Sequence, residues 1–341
     1  MVLLLVIASL ALHAPRAQAA NAGFNVITSP LPIKIATEPG KHVETELRIK
    51  NQGNEAEGIN VGLMKFKGNS KTGVADLLDL EKNDPVAAWV HFTPQQFLAQ
   101  PDVWYTIKMT IDVPSTASLG YYLAATFSPA SVPGGRNVTT LKGSAATLVL
   151  LNVKGANEQR KLTISDFTSQ HKVYEYLPAS FTVKVHNQGN VYISPVGNVF
   201  ITKGAKSVST LDFNDAGGSV LPDSTRNFEL QWRSGFPVFQ DHLEDGKTVV
   251  TKKGNKQDLK WNFTQINKFR FGKYTAKLLI AYDDGTRDVP LQSTLSFWVI
   301  PWKLMIVVFL ILLVIGFGVF TLIRGTLRGA KQGRAKLSRR R

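Results

Sequence analysis

The chain has 341 residues, of which 44% are hydrophobic, and it carries a formal net charge of +15 without a single cysteine. This length suits two domains of ordinary size, and the lack of cysteine excludes a disulfide-stabilised scaffold and a cysteine-ligated zinc or iron–sulfur site. Eight basic residues and no acidic residue lie within positions 324–341, so the excess charge belongs to one end of the chain and does not indicate a nucleic-acid-binding surface.

Residues 1–19 are predicted to be a secretory signal peptide. The apolar run VLLLVIASLAL is too short to cross a bilayer, and the small-x-small sequence Ala17-Gln18-Ala19 that follows is typical of a cleavage site. No Lys or Arg precedes the apolar run, which leaves three interpretations open: a start upstream of this Met, an atypical signal, or an uncleaved N-terminal anchor. Each of them would route residues 20–301 across the membrane.

Residues 24–154 are predicted to form a first immunoglobulin-like β-sandwich domain. The segment ETELRIK alternates polar and apolar residues and stops at Asn51-Gln52-Gly53-Asn54, a sequence typical of a turn. Short strands separated by such turns indicate a sandwich or barrel. Further segments rich in β-branched and aromatic residues are bounded by Pro, Gly and Asn, and they are residues 59–66, 104–113, 121–127 and 146–153.

The same pattern returns over residues 160–300, which predicts a second domain of the same kind. A strand-like segment, FTVKVH, again runs into Asn187-Gln188-Gly189-Asn190, and a glycine precedes an aromatic strand in each half, at Gly120 and Gly272. Two matching features in the same order indicate a duplicated unit. The predicted fold class is therefore all-β, with two tandem immunoglobulin-like β-sandwich domains and one C-terminal transmembrane helix. Within the second domain, the charged stretch 238–268 is predicted to be a long hairpin or an extended loop.

Residues 304–323 form the predicted transmembrane helix. They carry no charge, and as a helix they span about 30 Å, the hydrocarbon thickness of a bilayer. Trp302 precedes the run, where an amphipathic ring favours the headgroup layer, and Arg324 and Arg328 follow it. The positive-inside rule then places the basic tail, residues 324–341, in the cytoplasm and both domains outside the cell, as in a single-pass plasma-membrane protein. The tail is also expected to contact anionic lipids of the inner leaflet.

The sequence contains no motif that predicts an enzyme. It lacks the G-x-S-x-G nucleophile elbow and the H-E-x-x-H zinc motif, its six histidines show no ligand spacing, and its carboxylate clusters do not match a calcium loop. We therefore predict no catalytic residue, no cofactor and no metal. Paired carboxylates that meet only in space would escape a sequence search.

Aromatic side chains are the candidate ligand-binding residues of the first domain. Trp89, Phe92, Phe97, Trp104 and Tyr105 occur close together in the sequence, around two prolines. One interpretation is a sugar-binding surface, on which such rings stack against pyranose faces. The favoured interpretation is sandwich core and edge packing, which aromatic residues also dominate.

Several short sequences in the two predicted domains are shared with one family of surface proteins: Ser29–Ile33, Glu38–Gly40, Asn51–Asn54, Val113-Pro114, Gly120–Tyr122, Val183–Asn190 and Phe271–Tyr274. Through them the chain resembles the WxL-interacting proteins of Gram-positive-type bacterial surfaces. The resemblance covers the whole architecture: signal peptide, two immunoglobulin-like domains, one C-terminal transmembrane helix and a short basic tail. It implies that the membrane-distal domain binds peptidoglycan and that the second domain engages a protein partner, such as a WxL-domain protein or a host component; no contact residue is carried over.

These observations predict a non-enzymatic cell-surface adhesion or scaffold protein that binds cell-wall peptidoglycan or a surface or host protein. The first alternative is an immunoglobulin-like assembly chaperone of the cell envelope, which uses such domains to donate an edge strand. The second alternative is a wall-active enzyme or a sensor subunit, although a tail of this length is too short for a signalling domain. No nucleic-acid partner is expected.

Overall fold

A computed structural model describes residues 24–69, 74–133, 143–244, 246–251 and 254–338. The predicted signal peptide, residues 1–19, lies outside this range. The chain divides into two compact units. Unit 1 contains the described residues up to Lys161 together with Asn187–Tyr192 and Leu221–Ser224, and unit 2 contains Leu162–His186, Ile193–Val220 and the described residues from Thr225 onward.

Unit 1 is a β-sandwich. One sheet has the strand order β1-β3-β8-β6, and the other has the order β2-β10-β9-β4-β5, with β7 also paired to β4. A short 3₁₀ helix, Pro85–Ala88, precedes β6. The strands are β1 Val26–Ser29, β2 Ile33–Thr37, β3 His42–Asn51, β4 Glu57–Gly68, β5 Ala75–Leu78, β6 Val90–Thr93, β7 Gln96–Ala99, β8 Trp104–Asp112, β9 Leu119–Pro129 and β10 Ala145–Val153.

The core of unit 1 follows from the two-residue period of its strands. Leu47 on β3 lies opposite Ile107 on β8, and both side chains are fully buried. They pack against Val61 of β4 and Val149 of β10 from the facing sheet. Successive side chains of a strand point to opposite faces, so the alternation that predicts these strands also selects the residues of the core.

Unit 2 is a second sandwich, with sheets ordered β11-β13-β16 and β12-β24-β23-β14-β15. Its core is rich in aromatic residues: Trp232 packs edge-on against Tyr274 and Phe297. A 3₁₀ helix, Phe263–Lys268, precedes β23. The strands are β11 Leu162–Ser169, β12 Val173–Tyr174, β13 Ala179–Asn187, β14 Val196–Lys203, β15 Lys206–Phe213, β16 Thr225–Trp232, β17 Val238–Asp241, β18 Leu243–Glu244, β19 Lys247–Thr248, β20 Val250–Thr251, β21 Gly254–Asn255, β22 Gln257–Lys260, β23 Gly272–Asp283 and β24 Asp288–Val299.

The charged stretch 238–268 takes the form of a long, branched hairpin that ends in the 3₁₀ helix. β17 pairs with β22 at its base, while β18 pairs with β19 and β20 with β21 farther out. The backbone N–H of His242 donates to the carbonyl of Lys256 and joins the two arms.

A single long helix, α1, runs from Trp302 to Ser338 after β24. Within it, Trp302–Arg324 is long and apolar enough to cross a membrane, and its side chains are exposed. The predicted span, residues 304–323, lies inside this segment. The predicted fold class, two immunoglobulin-like sandwiches followed by an apolar C-terminal helix that could cross a membrane, is confirmed.

Candidate functional site

Four of the five aromatic residues of the sequence prediction lie partly buried in unit 1. Trp89 follows the first 3₁₀ helix and packs edge-on against Tyr121, with ring centroids 5.0 Å apart. Phe97 on β7 and Tyr105 on β8 contact each other at 5.2 Å, and Phe92 on β6 packs against the same core. The Tyr105 hydroxyl accepts a hydrogen bond from the Gln100 backbone. These rings mainly pack against the hydrophobic core of the sandwich.

Trp104 is the exposed member of the set. It lies on β8 with its side chain pointing away from the core, 47% exposed, and the Lys50 ammonium lies 5.9 Å from its ring centroid. Of the five residues, the structure therefore brings Phe97 and Tyr105 into contact and leaves Trp104 on the opposite face of its sheet. Ligand binding by this set stays a prediction.

Phe92 also lines a cavity of about 310 Å³ in unit 1. The cavity lies where β4 pairs with β7 over Glu57–Asn60 and with β5 over Lys65–Gly68, so the edge of β4 between these two pairings borders it. Most of its lining residues are apolar, but its exposed wall is slightly more polar than apolar, and His91 and Gln95 are its polar side chains. The lining is therefore mixed.

The wall of this cavity is held by a buried carboxylate. Asp84 caps the first 3₁₀ helix by accepting a hydrogen bond from the Val86 backbone, and its carboxylate forms an ion pair with Lys65. The hydrogen bond from Lys65 holds the pKa of Asp84 below its usual value. Because Lys65 belongs to β4, the ion pair ties the helix to the sheet.

The outer edge of β10 is only partly covered. β9 pairs with one edge of the strand from Ala145 to Val153, whereas β2 pairs with the other edge only from Val149 to Val153. In the part of the chain that the structure describes, no strand pairs with the outer edge of Ala145–Leu148. Free N–H and C=O groups on a sheet edge are a template for another strand.

Apolar side chains accompany this open edge on one face of the sheet. Ala146 and Leu148 belong to a second apolar cluster of unit 1, separate from the sandwich core. Tyr122 packs in this cluster edge-on against Phe66, with ring centroids 5.9 Å apart, and burial raises the pKa of its hydroxyl. Leu221 completes the buried part of the cluster.

Thr147 lies between Ala146 and Leu148 on β10. Its side chain points toward the sandwich interior, as does that of Val149 two residues farther along the strand. It is fully buried, and within the described ranges its hydroxyl has no hydrogen-bond partner. An unsatisfied buried hydroxyl costs about 1–3 kcal/mol.

Unit 2 contains a larger cavity of about 480 Å³ with a different lining. Its polar wall carries several side-chain amides, and Tyr174, Tyr176 and Phe239 supply aromatic surface. The Tyr174 hydroxyl hydrogen-bonds to Ser169 and to the backbone of Ser180, which fixes that wall. The amides belong to Gln170, Gln231, Asn255 and Gln257.

Among the described residues, no group of three or more histidine and carboxylate side chains is placed so that it could hold a metal ion. A histidine with two carboxylates and a lysine does form a charged cluster on the surface of unit 1. His42 Nδ1 lies 2.6 Å from Asp112 Oδ1, and Lys108 Nζ lies 2.6 Å from Glu44 Oε1. The Asp112 and Glu44 hydrogen bonds raise the pKa of His42.

Sequence reasoning found β10 as a strand but missed its open edge. The run AATLVLLNV is apolar at consecutive positions, which is the sequence signal of a strand covered on both faces. That signal could have indicated the second apolar cluster. Which edge lacks a partner depends on where β2 ends, and no pattern within β10 carries that information.

No family model matches the chain, and no curated protein matches it. Solved structures with a similar arrangement include the class 5 fimbriae chaperone CfaA, with 12% identity over 79% of this chain and 99% of that chain and a TM-score of 0.33. The E. coli chaperone DraB has 11% identity over 79% and 98%, with a TM-score of 0.33. A chaperone–tip adhesin complex of CFA/I fimbriae has 13% identity over 60% and 87%, with a TM-score of 0.32. At these scores the similarities do not decide what the chain binds.

Proposed function

We propose that this chain is a membrane-anchored, non-enzymatic binding protein that holds an extended segment of another exported protein as an added strand beside β10. The observation that carries the proposal is the edge of Ala145–Leu148, which β2 leaves uncovered. In strand addition, main-chain hydrogen bonds give affinity and the neighbouring side chains give specificity. An edge of four residues can form a short series of main-chain hydrogen bonds with an added strand.

The apolar face next to this edge sets the kind of ligand. An added strand would place every second side chain beside Ala146 and Leu148, on the cluster that also contains Leu150 and Phe66. Its intervening side chains would point toward Thr147. The expected ligand is therefore a segment with apolar residues at alternate positions, which is the pattern of an unpaired β-strand from another protein.

The helix α1 supplies the anchor in this proposal. Trp302–Arg324 would cross the bilayer, the basic tail would stay in the cytoplasm, and both units would face outside. A binding site tethered in this way meets exported polypeptides as they leave the membrane, before their own strands are paired.

This function corresponds to the assembly-chaperone alternative of the sequence analysis, with a membrane tether added. A tip adhesin, of the kind in the fimbrial complex named above, is one candidate partner. Membership of the WxL-interacting family stays a prediction. That resemblance assigns the protein partner to the second domain, whereas the open edge of β10 belongs to unit 1, so the location of the bound protein separates the two hypotheses.

Site-specific photo-crosslinking in the native cells tests the proposal. A benzoylphenylalanine at position 148 of the full chain should crosslink to exported polypeptides, and the same group at position 279, an exposed leucine of unit 2, should not. Ala146→Lys should suppress the crosslink because it places a charge beside the added strand. Thr106→Lys on the opposite sheet is the matched control and should leave it intact. Equal crosslinking at both positions, or crosslinking that Ala146→Lys leaves unchanged, would exclude strand addition at β10.

A second candidate function is binding of cell-wall glycan, as the sequence analysis predicts, but through unit 2. The 480 Å³ cavity combines three glutamines and one asparagine with two tyrosine rings. Amides can hydrogen-bond to sugar hydroxyls, while an aromatic ring covers the apolar face of a pyranose. The five aromatic residues of unit 1 form no such enclosed arrangement.

Retention on isolated cell walls tests this second candidate. The full chain in detergent should be retained on the walls, and Gln231→Ala with Gln170→Ala should weaken retention, while Gln52→Ala, an exposed glutamine of unit 1, should not. Release of soluble wall fragments during the assay would instead indicate a wall-active enzyme. Equal retention of all variants would exclude the cavity as the binding site.

A further inference from the structure

The strand register of unit 2 places several loops at the end of the sandwich where α1 begins. Gly272, the first residue of β23, pairs with Val299, the last residue of β24, and α1 starts three residues later at Trp302. Because the two strands are antiparallel, the residues that precede Gly272 lie at the same end as the start of the helix. The segment 261–271 is thus adjacent to the predicted membrane surface.

A second pairing brings another segment to this end. β12 runs parallel to β24, with Tyr174 beside Val299, and the backbone N–H of Ile300 donates to the Tyr174 carbonyl at 2.8 Å. The chain after Tyr174 therefore continues toward the helix. Glu175 lies there, and its carboxylate pairs with Lys303 of α1 at 2.8 Å.

Five large apolar side chains are exposed in this region, and we call them the aromatic patch: Trp261, Phe263, Ile266, Phe269 and Phe271. Phe263 and Ile266 are the most exposed, at 68% and 61%. Isolated exposed apolar residues are common on protein surfaces, whereas five large ones within eleven residues of one loop region are typical of an interaction site.

The residues of the aromatic patch are held in place by packing against a buried ring and by a capped 3₁₀ helix. Phe236 is buried and packs against Trp261 at 5.7 Å and against Phe263 at 5.5 Å. Asn262 caps the 3₁₀ helix by accepting hydrogen bonds from the backbone N–H and the hydroxyl of Thr264. The fold therefore keeps these apolar side chains exposed to solvent and does not bury them in the core.

A short series of contacts connects the patch to the helix. The Trp261 ring lies 6.4 Å from the Tyr176 ring, and Tyr176 follows Glu175, the partner of Lys303. The segment that carries the patch is basic, because residues 260–273 contain four basic residues and no acidic residue, while the carboxylate of Glu175 is paired with Lys303. Aromatic rings flanked by Lys and Arg are the composition that the bilayer interface favours.

We propose that the aromatic patch inserts into the headgroup layer of the same bilayer that α1 spans, so that unit 2 rests on the membrane at two points. The proposal requires the helix to cross the membrane, and it does not depend on strand addition at β10. Two contacts would restrict the swing of unit 2 about Pro301, which a single helix would leave free. The basic flank would favour a surface rich in anionic lipids.

Single-cysteine variants of the full chain test this contact, since the natural sequence contains no cysteine. Ile266→Cys and Phe263→Cys probe the patch. Val196→Cys is the matched control, because Val196 is 60% exposed but pairs with Ala281, nine residues along β23 from Gly272 and so about 30 Å away. Val307→Cys within α1 reports insertion of the helix itself.

Each variant is labelled with a nitrobenzoxadiazole probe and reconstituted into vesicles of phosphatidylethanolamine and phosphatidylglycerol. The probes at positions 263 and 266 should emit at shorter wavelength than the probe at 196 and should be quenched by nitroxide-labelled lipids. Spectra at 263 and 266 that match 196, with quenching at 307, would overturn the proposal while leaving the helix in the membrane. Absence of quenching at position 307 would overturn both the insertion of α1 and the membrane contact of the aromatic patch. A shift that disappears when the chain is diluted in the vesicles, without lipid quenching, would assign the patch to a second copy and equally overturn the proposal.

Discussion

Asn51 and Asn187 make the same turn in the two halves of the chain. Asn51 Nδ2 donates to the carbonyl of Glu55, and Asn187 Nδ2 donates to the carbonyl of Val191, each four residues farther along. In both turns the side-chain oxygen accepts the backbone N–H two residues on, at 2.8 Å. Both asparagines are almost fully buried. The repeated sequence Asn-Gln-Gly-Asn therefore encodes a repeated structure, an asparagine that replaces missing main-chain partners after a strand.

Asn51→Ala should destabilise unit 1 because it removes three hydrogen bonds, including one to the Ala99 carbonyl, and leaves buried main-chain groups without partners. We expect a loss of about 1–3 kcal/mol in the free energy of unfolding. Urea denaturation of the full chain in detergent measures the loss. Gln52→Ala, the exposed neighbour, should change it little, and equal effects of the two substitutions would contradict the role of the turn.

The ion pair of Asp84 should make unit 1 sensitive to acid. The Lys65 hydrogen bond lowers the pKa of Asp84 in the folded state, so its contribution is complete above the ordinary carboxyl pKa of about 3.9 and is lost as the pH falls through the folded pKa. Asp84→Ala, which also removes a helix cap, should cost about 1 kcal/mol at neutral pH. Lys65→Met should raise the carboxyl pKa, which NMR titration of Asp84 measures; an unchanged pKa would rule out this ion pair.

His42 should titrate above the usual histidine range because its ring bonds to Asp112 and Glu44. A raised folded-state pKa means that the stabilising effect is complete below the ordinary value of about 6.5 and disappears as the pH rises through the folded pKa. Asp112→Asn should lower the pKa of His42, as followed by the imidazole proton shifts. Asp102→Asn, which removes a carboxylate paired with Lys50, should leave it in place.

Trp232 should be the most sensitive core position of unit 2. It is fully buried between Tyr274, Phe297 and the guanidinium of Arg270, so Trp232→Ala should cost about 3–5 kcal/mol. Its indole N–H has no hydrogen-bond partner among the described residues. Trp232→Phe therefore removes an unsatisfied donor along with some volume, and it should cost less than half as much. Thermal unfolding of the three proteins gives the comparison, and equal losses would refute it.

Hydrogen exchange should reveal the open edge of β10 directly. Amides from Ala145 to Leu148 that point away from β9 should exchange faster than those of Val149–Val153, which β2 covers. Leu148→Lys should leave this exchange pattern unchanged while weakening partner binding, because it alters the face and not the edge. Uniformly slow exchange along β10 would mean that another part of the chain already covers the edge.

Local pattern was sufficient for the strands and for the apolar helix near the C-terminus. The strands that it predicts at residues 59–66 and 104–113 lie within or along β4 and β8, and the uncharged run 304–323 lies within α1. Strand alternation and helix length depend on neighbouring residues alone. The aromatic set was less informative, because burial of Phe97 and exposure of Trp104 depend on which face of its strand each ring occupies.

The amino-acid sequence by itself determined the all-β composition, the duplicated asparagine turn and an apolar helix long enough for a membrane, since each follows from residues close together along the chain. Only the tertiary structure decided that β2 stops short of Ala145–Leu148 and that Phe263 and Ile266 face outward at the end of unit 2 where the helix begins. Pairing register and loop placement arise from contacts between segments far apart in sequence, and the free energy that selects them is not contained in any one segment.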